Sequence, residues 1–161
     1  MSRGGLRRGG ALEKAWLDDY AVGERFTTPA RTITEADVVA FAALTGDWHP
    51  LHTDVEYAAR SPFQSRIAHG MLVLSVGTAL AFRLGPHVFL PKSFVAFYGM
   101  EQVRFTAPVR LGDTIRLEAE VIGVELQNEK RGILTWKGSI LNQRDETCCV
   151  AVTKLLCGRR A

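Results

Sequence analysis
Gly70-Met71-Leu72-Val73-Leu74-Ser75-Val76-Gly77-Thr78-Ala79-Leu80-Ala81-Phe82-Arg83-Leu84, closed by Gly85-Pro86, is the stretch that decides the fold. It reads as one helix from about Gly70 to Leu84, stopped by a residue that leaves the helical region easily and one that cannot continue it. Apolar residues recur on nearly every side, which predicts a helix buried on most faces. Ser75, Thr78 and Arg83 interrupt the run, and it falls short of the roughly 18 apolar residues that would span a membrane. Such a helix needs walls.

The walls follow it. Beyond Pro91 the apolar period changes from helical to alternating. Ser93 to Tyr98 and Glu101 to Thr106 read as strands. Thr114 to Val124 sets Ile115, Leu117, Ala119 and Val121 against Arg116, Glu118 and Glu120, the period-2 signature of a half-buried strand. Ile133 to Leu141 and Thr147 to Leu156 come after polar turns at Gln127 to Gly132 and Asn142 to Glu146. Clean alternation means a sheet with one wet face and one covered face, and nothing but the long helix is apolar enough to be the cover. The expected fold is α+β: an antiparallel sheet curled around a buried central helix.

Upstream, Leu12 to Tyr20 is a turn of helix or a lead-in, and Glu24 to Ile33 a first strand broken by Pro29. Thr34 is placed as an N-cap, with Glu35 and Asp37 complementing the positive end of the dipole. Val38, Phe41, Ala42 and Thr45 then follow at helical spacing until Gly46. Asp54 caps a short helix, Val55 to Arg60, which Ser61-Pro62 closes.

A chain of 161 residues with 47% apolar and 23% charged residues suits a soluble domain with its own core. Residues 12–161 are expected to form one domain and residues 1–11 a disordered, Gly/Arg-rich basic tail. The net charge of +3 resides in the ends: without Arg3, Arg7, Arg8, Arg159 and Arg160, the 20 basic residues fall to 15 against 17 acidic. A basic fringe on a near-neutral body argues against nucleic acid as a partner. Cys148, Cys149 and Cys157 form no C-x-x-C motif, and neighbours on a strand face opposite ways, so reduced thiols in a cytoplasmic protein are expected.

One segment resists a scaffold reading: Gly46-Asp47-Trp48-His49-Pro50-Leu51-His52-Thr53-Asp54 crowds four ionisable side chains around a proline, shortly before the glycine that opens the long helix. Asp47 and His52 are the candidates for chemistry, and the backbone at Gly70 the candidate for receiving developing negative charge, since a helix start offers free N–H groups. Singly, Asp47 reads as a carboxylate satisfying loop amides and His52 as an ordinary histidine; together, before Gly70, they read as a site. Asp54 reads as an N-cap, His69 as a structural neighbour of the oxyanion position, and Trp48 either lines the pocket or packs. His49, His52 and Asp54 match no strong metal-ligand spacing, so no metal is expected.

Gly46-Asp47-x-x-Pro50-x-His52-x-Asp54, followed by Phe63-x-x-x-Ile67-Ala68-His69-Gly70-Met71 and by Val103-x-Phe105-x-x-Pro108-Val109-x-x-Gly112-Asp113, resembles the MaoC-like dehydratases and (R)-specific enoyl-CoA hydratases. The resemblance runs from about Tyr20 to Leu156 and implies a hot-dog fold. It implies a catalytic dyad of Asp47 and His52, an oxyanion-binding amide at Gly70, and Thr78 where some members carry a small hydroxyl residue near the site. It departs at His49, where the family often has Asn.

What is implied is a hydro-lyase interconverting a 2-enoyl thioester and its 3-hydroxyacyl thioester, with acyl-CoA or an acyl-carrier-protein thioester as partner and a homodimer or higher homo-oligomer as assembly. Hydration needs one proton taken from water, one given to C2 and a stabilised enolate oxygen between them. A carboxylate and an imidazole sharing a water manage both protons, and preorganised donors at the oxyanion contribute about 3 to 4 kcal/mol each. No cofactor is needed, since a thioester acidifies its own α-carbon. The rivals are a thioesterase on the same fold and a non-catalytic thioester-binding or pairing subunit.

Overall fold
At Gly77 the central helix comes close against the sheet: a Cβ there would stand 2.3 Å from Cδ1 of Ile140. Only a bare Cα allows the approach. In the computed structural model, which describes residues 13–160, the elements follow in the order β1 (Arg25–Thr27), β2 (Arg31–Thr32), α1 (Glu35–Thr45), α2 (Pro50–Thr53), α3 (Val55–Ala59), α4 (Gly70–Ala79), β3 (Phe94–Phe105), β4 (Thr114–Leu126), β5 (Arg131–Leu141) and β6 (Thr147–Gly158). The expected basic tail, residues 1–11, lies outside the described residues.

The strands form one antiparallel sheet in the order β1-β4-β5-β6-β3, with β2 paired to the start of β4. It curls around α4 as in a hot-dog fold, and Leu72, Val73 and Leu74 join Leu117, Trp136, Ile140 and Ala151 in the core. The alternation read in β4 holds, with Ile115, Leu117, Ala119 and Val121 all buried. At roughly 1.5–3 kcal/mol for each large aliphatic side chain removed from water, this seam is the main stabilising term.

Local signals are realised where they were expected. Thr34 accepts from the N–H of Asp37 while the Asp37 carboxylate accepts from the N–H of Thr34, a reciprocal cap. Gly46 ends α1 in the left-handed region, φ 79°, and Asp54 caps α3 through the N–H of Tyr57.

Four features differ from the sequence reading. The central helix is α-helical only to Ala79 and tightens into a 3-10 turn over Leu80–Leu84. It is also covered on fewer sides than its composition implied: Met71 and Phe82 are 55% and 58% exposed, and Ser75 lies on the same open stripe. Ser93 to Tyr98 and Glu101 to Thr106 are one strand, β3, because register shifts against β6 and a positive φ at Gln102 absorb the irregularity without breaking the ladder. The wet face is lost along part of β5, where Gly132 to Trp136 are buried consecutively. The 3-10 turn Leu17–Asp19 packs across that end, and a Cβ on Gly132 would stand 2.5 Å from Cδ2 of Leu17.

The three cysteines are free and buried. Burial pushes the Cys149 and Cys157 thiols up to about 11 and about 12. Among the described residues no helix is long and apolar enough to cross a membrane.

Candidate active site
The site begins where α1 stops. Beyond Gly46, Oδ1 of Asp47 accepts from the backbone N–H of His49 at 3.3 Å, and Nδ1 of His49 accepts from the N–H of Leu51 at 3.1 Å. His49 is thereby the N-cap of α2, with Pro50 at the first helical position, where its fixed φ and missing N–H cost nothing. This single turn of helix, absent from the sequence reading, is what aims His52.

Nδ1 of His52 lies 2.8 Å from the carbonyl oxygen of Ile67. A carbonyl can only accept, so Nδ1 carries the proton and Nε2 presents a lone pair. Burial, with smaller contributions from His69 and His49, holds the imidazole below its ordinary 6.5 despite the opposing carbonyl and Asp47. The side chain is therefore a neutral base near neutral pH.

His69 stands behind this pair, almost wholly buried. Its Nε2–H donates to the backbone carbonyl of Asp47 at 3.0 Å, and Oδ2 of the same residue is 4.0 Å away. One ligand-type atom from each of Asp47, His52 and His69 lies within 4.8 Å of the others. Their hydrogen bonds limit what a metal ion would find: the Nε2 proton of His69 and the Nδ1 proton of His52 are both held by carbonyls, leaving lone pairs on His52 Nε2, on the Asp47 carboxylate and on the buried Nδ1 of His69. Asp54 and the Nδ1 of His49 are spent on caps.

His52 and Gly70 share the wall of a cavity of about 300 Å³ whose other lining includes Phe63, Val73, Phe105 and Cys148. Its walls are mostly apolar, fit for an acyl chain rather than a sugar or nucleotide. Gly70 is the first residue of the ten-residue α4, so the amides of that first turn have no acceptor within the helix. Asp47, its side chain half exposed, does not itself line the cavity and reaches the site through its closeness to His52 and His69.

Of the six expected residues only His52 and Gly70 line this cavity; Asp47 and His69 stand beside His52, and Thr78 and Trp48 are placed elsewhere. Thr78 lines a separate, narrow cavity of about 20 Å³ with Leu74, Phe89 and Trp136. Eight residues beyond Gly70, it lies about 80° round the helix axis at 3.6 residues per turn. Trp48 is 53% exposed and neither lines the pocket nor packs in the core. Conversely, Phe105 and Cys148 line the cavity without having been singled out, and Phe105 lay inside a quoted motif. The Ile67 carbonyl that fixes the His52 tautomer had no side-chain signal to find.

The family model described as MaoC like domain matches residues 19–141. Among curated proteins, the chain is 38% identical over 104 residues to protein MaoC of Klebsiella aerogenes, covering 65% of this chain and 30% of that protein. It is 39% identical over 111 residues to an (R)-specific enoyl-CoA hydratase of Rhodospirillum rubrum, covering 68% of this chain and 71% of the relative. Among solved structures, a monoamine oxidase regulatory protein from Archaeoglobus fulgius superposes with a TM-score of 0.86 at 37% identity, covering 94% of this chain and 99% of that one. The chain thus spans less than a third of the Klebsiella protein, but nearly all of the Archaeoglobus structure.

Proposed function
The chain belongs to the MaoC-like domain family, and from that premise we propose that it is a hydro-lyase that adds water across the double bond of a 2-enoyl-CoA to give the 3-hydroxyacyl-CoA, and runs the reverse dehydration. The Rhodospirillum relative is named for (R)-specific hydration, and (R) is the handedness proposed here. The observation that carries the reading is the Nδ1–H of His52 held on the Ile67 carbonyl, which leaves Nε2 as a lone pair at the wall it shares with Gly70.

In the hydration direction, His52 Nε2 and the Asp47 carboxylate hold one water beside C3. As the water oxygen bonds to C3, His52 takes one of its protons, and the electrons of the double bond move onto the thioester oxygen. The first-turn amide of Gly70 meets that oxygen as its charge develops. The imidazolium then returns the same proton to C2, so the net change is one OH at C3 and one H at C2. The acyl tail lies in the apolar cavity.

The assembly proposed is a homodimer. Strand β3 is twelve residues long and, among the described residues, hydrogen-bonds a neighbouring strand on one side only. Phe97 and Tyr98 on it are 54% and 59% exposed, and an open apolar edge of that length is a template for a second copy. Phe105, half exposed at the end of the same strand, also lines the cavity, so pairing there would help close the site.

The test is hydration of enoyl-CoA substrates of graded length, read as loss of the conjugated-enoyl absorbance with chiral analysis of the product. Asp47→Asn and His52→Ala should each lower kcat by roughly 10²–10⁴-fold, and the double variant should be little worse than either, since they act on one water. Release of free coenzyme A thiol in place of hydration, or full additivity of the two losses, would refute the reading.

A further inference from the structure
His69 moves no proton in the mechanism above, yet it contacts both residues that hold the water. It is 2% exposed. Its Nε2–H donates to the backbone carbonyl of Asp47 at 3.0 Å. Its ring stacks on that of His52 with centroids 3.8 Å apart and planes 29° apart. Phe41 of α1 packs against it at 5.0 Å, and the next residue along the chain is Gly70. One side chain therefore joins the loop that carries the carboxylate, the face of the base and the start of the helix that offers the amide.

A second feature separates His69 from ordinary packing. Its Nδ1 is buried without a hydrogen-bond partner. An unpaired buried acceptor is unfavourable, and such a group in a folded protein calls for an explanation beyond shape. A phenyl ring would fill the same space without that cost, but it would lose the donor to Asp47.

We propose that His69 is a positioning residue for the hydration: its Nε2–H fixes the main chain at Asp47 while its ring carries His52, so that carboxylate and imidazole aim at one water. The inference rests on the hydratase reading. His52 is otherwise tethered by one hydrogen bond, and a ring stacked on its face stops it swinging off the line to the substrate. The stack also disfavours a positive charge on both rings at once. The titratable groups facing His52 are Asp47, His69 and His49, whose ring is 6.2 Å from that of His52. Tyr57 lies 5.8 Å beyond His49.

Two substitutions in the full chain separate the two contacts. His69→Phe keeps a ring and removes the donor; His69→Gln keeps an N–H donor and removes the ring. Each is expected to lower kcat by about 10–100-fold with KM little changed, the scale of an ångström-level misplacement of reacting groups. His69→Gln is also expected to move the acid limb of the kcat/KM profile, since the ring beside His52 is gone. Folded variants with native kcat and an unmoved acid limb, or with a loss confined to KM, overturn the proposal. Histidine ¹⁵N resonances of the native chain decide the matter even if the variants fail to fold. With both rings neutral, His69 should carry its proton on Nε2 and His52 on Nδ1; an Nδ1-protonated His69 overturns it. That measurement uses no substrate, so a native chain that hydrates nothing would sink the hydratase reading and leave the clamp to be judged separately.

Discussion

A Cβ on Gly70 would stand 3.0 Å from Cε1 and Cζ of Phe105. The glycine that opens α4 faces an aromatic ring across the cavity wall, so its lack of a side chain serves packing as well as access. Its backbone is not in the left-handed region, where only glycine is at ease. The stability cost of a substitution there therefore comes from the ring and not from backbone strain.

Gly70→Ala is therefore expected to fold, because Phe105 is half exposed and can yield by a few tenths of an ångström. Overpacking of this size costs about 1 kcal/mol, or a melting temperature lower by ~2–4 °C in a chain of this length. Turnover should fall further, by about tenfold or more, if the amide loses its aim at the oxyanion. Adding Phe105→Leu should restore the melting temperature and leave kcat/KM low. Recovery of both would show that the loss came from the displaced ring and not from the amide.

His49 occupies the cap of α2 through a lone pair on Nδ1, the role an asparagine oxygen fills equally well. His49→Asn should then keep near-native activity and every limb of the pH profile, the acid limb moving only slightly because His49 is a minor influence on His52. His49→Ala should cost about 1 kcal/mol of stability and slow turnover, because the turn that aims His52 is loosened. A missing limb in the pH–rate profile of His49→Asn would mean that His49 itself titrates in the reaction.

His52, held below 6.5 mainly by burial, gives a signed pH dependence. Above 6.5 the ring is neutral in both folded and unfolded chains and has no effect on stability. As pH falls below 6.5 the unfolded chain binds the proton first, so folding stability declines until pH passes below the depressed folded value. The acid limb of kcat/KM should likewise fall below 6.5. Denaturation midpoints measured from neutral to acid pH in native chain and His52→Ala check this: an identical slope in both would remove His52 as the source.

Gly77→Ala should destabilise by about 1–3 kcal/mol, the usual cost of forcing atoms into a filled core. The new Cβ would meet Cδ1 and Cγ1 of Ile140 at 2.3 and 2.6 Å. Ile140→Val removes the nearer carbon and should recover part of the loss. Urea denaturation of the two single variants and the double variant measures both; an additive double would deny that these residues touch.

The sequence by itself determined whatever depends on near neighbours in the chain. The apolar run from Gly70, the alternation of β4, the caps at Thr34 and Asp54 and the stop at Gly46 are local codes, set by side-chain period and by backbone groups a few residues apart. The pairing of Asp47 and His52 in one short loop, ahead of a helix that opens on glycine, was legible for the same reason. What only the tertiary structure decided lies between residues far apart in the chain. The proton on Nδ1 of His52 is fixed by a carbonyl fifteen residues on, and a backbone carbonyl has no signature in a sequence. The stacking of His69 on His52, the ring of Phe105 over Gly70, and the turning of Thr78 into a different cavity all depend on how α4 is seated and rotated in the sheet. That seating includes a close contact at Gly77 and Ile140, and no local pattern encodes a distance between two elements.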